Sequence, residues 1–204
     1  MEIQYTKEKI IFNKELRSID EFVSSFLRYL DKNKIKYVLI SGYSALFFGR
    51  ERNTEDIDLF VEDLNERKFL EFWKDVSKEF ECLNAKSAEG AYLIFTSERI
   101  ALRFHKQGSF IPNIEFKPLK SHIDRYTLEQ RIEIECNGKI LYFSRPEIQI
   151  PYKIFLGSEK DIEDARFLYK LLKNYLNMDD LKEMLATLGI KNNKFEILMG
   201  EKLE

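Results

Sequence analysis

Residues Tyr37 to Glu62 read YVLISGYSALFFGRERNTEDIDLFVE. The segment Ile35 to Ile40 is rich in β-branched and aromatic residues and stops abruptly at Ser41-Gly42, so it predicts a strand that runs into a turn. Tyr43 to Phe48 then suits a short helix, with Gly49 placed to cap its C-terminus. A second apolar run carries Asp56-Ile57-Asp58. In an extended strand alternate side chains share a face, so Asp56 and Asp58 stand together while Ile57, Leu59 and Val61 point the other way. Carboxylates at such close range repel unless a cation lies between them, and hard oxygen donors of this kind suit Mg2+ or Mn2+. Upstream, the first-turn amides of the predicted helix have no intrahelical partner and lie at the positive end of its dipole, which makes a backbone cradle for phosphate. Gly42 would admit a ligand close to the backbone, and Ser41 and Ser44 add hydroxyl donors. Either element alone is common. In this order they imply a divalent-metal site for phosphoryl or nucleotidyl transfer.

The stretch SGYSALFFGRERNTEDIDLFVE resembles the signature of the polymerase-beta-like nucleotidyltransferase superfamily, in which a small-residue turn is followed by Asp-x-Asp. Arg52-x-Thr54-x-Asp56-x-Asp58 is similar to the form seen in small nucleotidyltransferase-like proteins of the AbiEii type. PEIQIPYKIFLGSEKDIEDARFL, Pro146 to Leu168, resembles their downstream helical segment, with Lys153 ahead of Lys160-Asp161-Ile162-Glu163-Asp164. The turn departs from the family in placing glycine second, after Ser41. The resemblance brackets residues 35 to 172 and implies an α+β fold, a mixed or antiparallel sheet flanked by helices with a C-terminal helical extension. Residues 1–145 would be the catalytic domain and residues 146–204 a helical region packing on the cleft.

A pair of divalent ions beside a polyphosphate calls for a third acidic ligand. Glu115 is the candidate, in the short strand Ile114-Glu115-Phe116, where an inward-pointing acid is costly unless paired or metal-bound. The competing reading leaves it on a solvated sheet face next to Lys117. Asp56 and Asp58 would hold one Mg2+ on the phosphates of a nucleoside triphosphate. With Glu115 they would hold a second that activates an acceptor hydroxyl for in-line attack on the α phosphorus, Glu115 doubling as general base. Lys153 is suited to neutralising phosphate charge, or is simply solvated beside Tyr152. Lys160 would reach phosphate and Asp161 would orient a lysine or arginine; both also fit ordinary helix-start decoration. Arg52 and Thr54 lie on the loop into the acidic strand, where the guanidinium could clamp phosphate. The acceptor could be RNA or a protein in a toxin-antitoxin setting, or a small molecule such as an aminoglycoside. A binding or antitoxin-like partner without catalysis is a further reading.

Composition bounds these choices. A chain of 204 residues, 44% hydrophobic, buries a substantial core. Cys82 and Cys136 form no C-x-x-C pair, which argues against a disulfide framework and a zinc site, and His105 and His122 lack metal-ligand spacing. Met1-Glu2-Ile3-Gln4 has no signal-peptide character and no apolar run approaches the about 18 residues of a membrane span, so a cytoplasmic protein with no membrane partner is expected. The net charge of -2 gives no overall pull toward nucleic acid.

The remaining chain alternates helix and strand signals. Ser18-Ile19-Asp20-Glu21 reads as a capping box opening an amphipathic helix through Leu30. Phe69, Phe72, Trp73, Val76 and Phe80 form a second helical stripe from a start near Asp63. Tyr92–Phe95 and Ile100–Phe104 read as strands joined by the Thr96-Ser97-Glu98-Arg99 turn. Asn137-Gly138 signals a hairpin whose Glu133 and Glu135 face solvent. Beyond Pro146 the pattern is helical: Ile162, Ala165, Leu168, Tyr169 and Leu172 form one stripe, and a shorter helix opens at Asp179 or Asp180 and closes at Gly189.

Overall fold

The computed structural model describes residues 3–6 and 9–203; Met1 and Glu2, part of the start read above as lacking a leader, lie outside the described residues. In chain order the elements are β1 (Gln4–Tyr5), β2 (Lys9–Phe12), α1 (Ser18–Lys32), β3 (Tyr37–Leu39), α2 (Gly42–Phe47), β4 (Asp56–Val61), α3 (Glu66–Val76) and β5 (Phe80–Cys82). They continue with α4 (Ala88–Thr96), β6 (Leu102–Lys106), β7 (Asn113–Pro118), α5 (His122–Glu129), β8 (Ile132–Cys136), β9 (Lys139–Phe143), α6 (Pro146–Leu156), α7 (Glu159–Leu172), α8 (Met178–Thr187) and α9 (Asn192–Met199). The strands form one mixed sheet in the order β1-β2-β8-β9-β3-β4-β7-β6-β5. It is the α+β architecture expected, with helices α6 to α9 following the last strand.

The two faces of the sheet differ, and that difference places the site. On one face Ile57, Leu59 and Val61 of β4 are fully buried, together with Phe104 and Phe116 from β6 and β7. Helices α1 and α3 cover them: Phe26 and Phe72 pack with ring centroids 6.1 Å apart, and Phe72 stacks on Phe116 at 5.2 Å. The same core takes in Ile150 and Ile154 of α6 and Leu168 and Leu172 of α7, so the C-terminal helices share it with the sheet. The opposite face has only a small apolar cluster, Val38, Ile40, Leu119 and Leu128, with Phe60 against it. Around that cluster the sheet is left open.

Several elements differ from what the sequence suggests, each for a local reason. Tyr92–Phe95 is not a strand; it lies in α4, because Ser87 Oγ caps the helix by accepting from Gly90 N at 3.1 Å. Ala91 and Phe95, four residues apart, supply the buried helical face. Arg99 adopts a left-handed backbone (φ 57°) beyond that helix, and the next strand begins only at Leu102. Phe80 leaves the α3 stripe: the helix ends at Val76 with Ser77 as C-cap, and Phe80 opens β5, its ring 5.2 Å from Phe26. Helix α3 starts from Asn65, whose side chain accepts from Lys68 N, rather than near Asp63. Helix α1 begins one residue earlier than the Ser18 box implies, with Arg17 as N-cap and its amide bonded to Asp20 Oδ2 at 3.0 Å. Strands β1 and β2 and helices α5 and α9 carry too little periodicity to be read in advance.

Candidate functional site

Strand β4 alternates as its sequence dictates, with Asp56 exposed, Asp58 and Phe60 half-buried and the intervening residues in the core. Strand β7 runs parallel beside it with Asp58 opposite Glu115 and Asp56 opposite Asn113. Adjacent strands are about 4.8 Å apart, so register alone brings the Asp58 and Glu115 carboxylates together. A slip of one residue would put Ile114 there instead. Asp56, Asp58 and Glu115 therefore share the open face.

Their charges are partly answered by neighbours that the sequence reading did not single out. Lys117, two residues beyond Glu115 and so on the same face, places Nζ 2.6 Å from Asp58 Oδ1 and 2.9 Å from Glu115 Oε2. Arg103 of β6 donates to Glu115 Oε1 at 2.6 Å, and Asn113 Nδ2 donates to Asp56 Oδ1 at 2.6 Å. Burial pushes the Asp58 carboxyl above its usual range, and the charge of Lys117 offsets only part of that. Burial also works upward on Glu115, yet the hydrogen bond and charge of Lys117 and the charge of Arg103 hold it below the usual carboxylate range. Burial disfavours the charge on Lys117, but the acids raise its pKa above the ordinary lysine value. Burial thus prevails at Asp58, and the surrounding charges prevail at Glu115. Glu115, expected to need a partner or a metal if it points inward, is paired with cationic side chains on its own and the adjacent strand.

The turn ahead of α2 presses on the same patch. Ser41 has φ 62° and ψ -139°, a conformation that side-chain-bearing residues seldom adopt. Its hydroxyl lies near enough to Asp58 to favour the ionised carboxylate slightly, and its carbonyl accepts from Gln149 Nε2 of α6 at 3.2 Å. Helix α2 is only six residues long and buried throughout, and it is tied to α1 by Tyr43 OH donating to Asp20 Oδ1 at 2.9 Å. Ser44 is buried, and its Oγ has no hydrogen-bond partner among the described residues. Gly42 is needed for a reason other than ligand approach. A Cβ there would lie 2.9 Å from Cζ, Nη1 and Nη2 of Arg52, so the guanidinium occupies the space that the missing side chain leaves.

Arg52 belongs to a buried ion cluster centred on Asp164 of α7, whose side chain is fully buried. Arg50 Nη1 pairs with Asp164 Oδ1, Arg52 Nη1 pairs with Oδ2, and Lys153 Nζ of α6 lies 2.6 Å from Oδ2. Arg50 also reaches Glu163. Lys153, expected to face phosphate or solvent, is buried here, with Asp161 Oδ1 at 3.4 Å as its second acid. Asp161 is in turn bonded to the α7 N-cap, Ser158 Oγ, at 2.5 Å. Thr54 Oγ1 donates to the Asp56 carbonyl at 3.0 Å and shapes the entry to β4. Lys160 is exposed on the first turn of α7. The predicted residues therefore fall into two groups. Ser41, Asp56, Asp58 and Glu115 form the open acidic patch, while Arg52, Lys153 and Asp161 form a strut behind it. Asp164 had its signal in the Lys-Asp-x-x-Asp element, and Arg50 stood two residues from Arg52.

A cavity of about 730 Å³ opens beside the patch, between the sheet, α5 and α6. Ser41, Glu115 and Lys117 form its polar wall, and Ile123, Ile148 and Tyr152 are among the apolar residues opposite. That volume lies within the range of small-molecule pockets, about 300–1,000 Å³. Among the described residues no His, Cys, Asp and Glu group of three or more comes together as a ready metal cluster, and no helix is long and apolar enough to cross a membrane.

No protein-family model and no curated sequence matches the chain. Solved structures do. An antigenic nucleotidyltransferase-like protein from Paracoccidioides brasiliensis superposes with a TM-score of 0.52 at 18% identity, over 92% of this chain and 95% of its own. ANT(2")-Ia, solved in complex with adenylyl-2"-tobramycin, superposes with a TM-score of 0.50 at 12% identity, over 83% of this chain and 95% of its own. Nearly the whole length of each neighbour is matched, and the chain has the fold of the nucleotidyltransferase-like proteins.

Proposed function

We propose that the protein is a divalent-metal-dependent nucleotidyltransferase that moves a nucleoside monophosphate from a nucleoside triphosphate to a hydroxyl acceptor. The observation that carries this reading is the acidic face of β4 and β7, where Asp58 stands opposite Glu115 with Asp56 two residues before it, and where Glu115 lines a cavity of small-molecule size. Among the described residues the three acids are not gathered into a ready cluster, but the Asp58-Glu115 pair offers hard oxygens of the kind Mg2+ or Mn2+ takes and already draws a cationic group, the Lys117 ammonium, between its oxygens. Asp56, Asp58 and Glu115 would hold the metal, which when bound would neutralise triphosphate charge and ease loss of the acceptor proton.

The residues of the chain supply position and a proton site. Glu115 lines the cavity, so its carboxylate is placed to accept the hydroxyl proton as the acceptor oxygen forms its bond to the α phosphorus. The bond from that phosphorus to the α–β bridging oxygen breaks, and pyrophosphate leaves. Ser41 stands beside Asp58 at the cavity wall, and the Arg52-Asp164 strut fixes the loop that delivers Asp56. Few side chains need to act, because positioning does most of the work in this chemistry.

Incubating the purified protein with each of the four labelled triphosphates, Mg2+ and a cell extract tests the reading. Label transfer that is lost in Asp56→Ala and Glu115→Gln, with far-UV circular dichroism unchanged, is the expected result. Acid-precipitable label would mark an RNA or protein acceptor, as the toxin-antitoxin resemblance implies. Soluble label would mark a small molecule, the acceptor class named by the tobramycin adduct of ANT(2")-Ia. No consumption of any triphosphate, with or without extract, would sink the enzyme reading and leave a binding role.

A further inference from the structure

Lys117 occupies the position that the proposed metal needs. Its Nζ lies within 2.9 Å of an oxygen on each of Asp58 and Glu115, whose side chains are only 14% and 13% exposed. Glu115 Oε1 is taken by Arg103 and Asp56 Oδ1 by the neutral amide of Asn113, so with the ammonium two cations face three carboxylates and the Asp58-Glu115 pair is the part that is answered. An ammonium carries only donors and can never be a metal ligand, and a second cation at hydrogen-bond range of the same oxygens would be repelled. The lysine side chain is 30% exposed and lines the cavity, and its four-carbon stem can swing without moving the strand.

Building on the nucleotidyltransferase reading, we propose that Lys117 is a built-in counter-ion that fills the cation position between Asp58 and Glu115 in the free protein and must vacate it before a divalent metal enters. The lysine thereby sets the metal affinity of the patch. The cavity is where the displaced ammonium goes, and an anionic ligand there would take up its charge. Metal and anion are therefore coupled: each favours the arrangement that the other needs.

The test is Mn2+ binding to the protein alone, without nucleotide, followed by the electron paramagnetic resonance signal of free Mn2+. Lys117→Met should bind Mn2+ about tenfold more tightly than the wild type, the scale of one ordinary charge contact. Lys117→Gln, which keeps a donor but removes the charge, should show the same gain and guards against a misfolded methionine variant. Adding Asp58→Asn to either variant should abolish the gain. Affinity that is unchanged or weaker in both lysine variants, while Asp58→Asn weakens wild-type binding, overturns the counter-ion role and leaves the metal site standing. Binding in the lysine variants that is indifferent to Asp58→Asn overturns the metal reading itself.

Discussion

Replacing Asp164 by alanine should be the most damaging single change in the described chain outside the apolar core. The carboxylate is fully buried and is shared by Arg50, Arg52 and Lys153, whose side chains are 16%, 16% and 1% exposed. Removing it strands these cations in a space with little water, where breaking a buried pair by deleting one partner costs about 3–5 kcal/mol. Glu163 and Asp161 keep one contact each to Arg50 and Lys153, which argues against a larger figure. Lys153→Met makes the contrast. Its stem volume is retained and Asp164 keeps both guanidinium groups, so a loss under about 1 kcal/mol is expected, as for other volume-conserving swaps. Urea unfolding followed by circular dichroism measures both. In a domain of this size the Asp164→Ala cost corresponds to a fall in melting temperature on the order of 10 °C. Because the cluster is buried, the loss should persist at high salt, where surface pairs are screened. A cost for Asp164→Ala below about 1 kcal/mol, or an equal cost for Lys153→Met, would refute the view of a strut organised around one buried acid.

Gly42→Ala puts a Cβ 2.9 Å from a guanidinium that Asp164 pins in place, so a loss of about 1–3 kcal/mol is expected from overpacking. In an Arg52→Ala background the same change should cost much less, and additive losses in that double-mutant cycle would exclude the contact as the cause. Ser41→Gly relieves a backbone at φ 62° and should raise stability by about 1 kcal/mol in thermal unfolding while label transfer falls; lower stability would mean that contacts of the serine side chain outweigh the strain. Asp58→Asn should stabilise the metal-free protein at neutral pH. The folded carboxyl titrates above its ordinary value of 3.8, so the wild type carries a penalty that is absent below that value and grows as pH rises through the folded pKa. A variant less stable than wild type at pH 7, or an advantage that widens on acidification, would contradict the sign of that shift.

The parts of this molecule legible in its sequence are those written in short-range periodicity. Alternation in Asp56 to Val61 gave a strand with both aspartates on one side, and β4 has that pattern. Asn137-Gly138 supplied both left-handed residues of a tight turn, φ 52° and 74°, and the β8-β9 hairpin follows. Continuous apolar runs were not decisive. AYLIF suits a strand by propensity, and a serine cap four residues ahead of Ala91 turned it into a helix. What no local pattern could give is the partner of each charge. Lys117 shares a strand face with Glu115, but its bond to Asp58 depends on the parallel β4-β7 register. Lys153 reads as an ordinary helix lysine until α7 places Asp164 beside it.

The economy of the patch bears on whether the chain has a use for it. Burying an ion pair is at best a weak source of stability, since apolar residues of similar volume in the same place usually hold a fold as well or better. Here the sheet has apolar side chains at hand on the same face, Val38, Ile40 and Phe60, yet devotes its middle to Asp58, Glu115, Lys117 and Arg103. Burial works against the charge of Asp58, Glu115 and Lys117 alike, and the neighbouring Ser41 holds an uncommon backbone. Behind it a second set of charges is buried to fix one loop. A scaffold that only had to fold would gain by losing both sets. The unfavourable part that remains, the buried charge of Asp58 beside the strained Ser41, lies next to the cavity, and perturbed groups of this kind gather where a ligand supplies compensation.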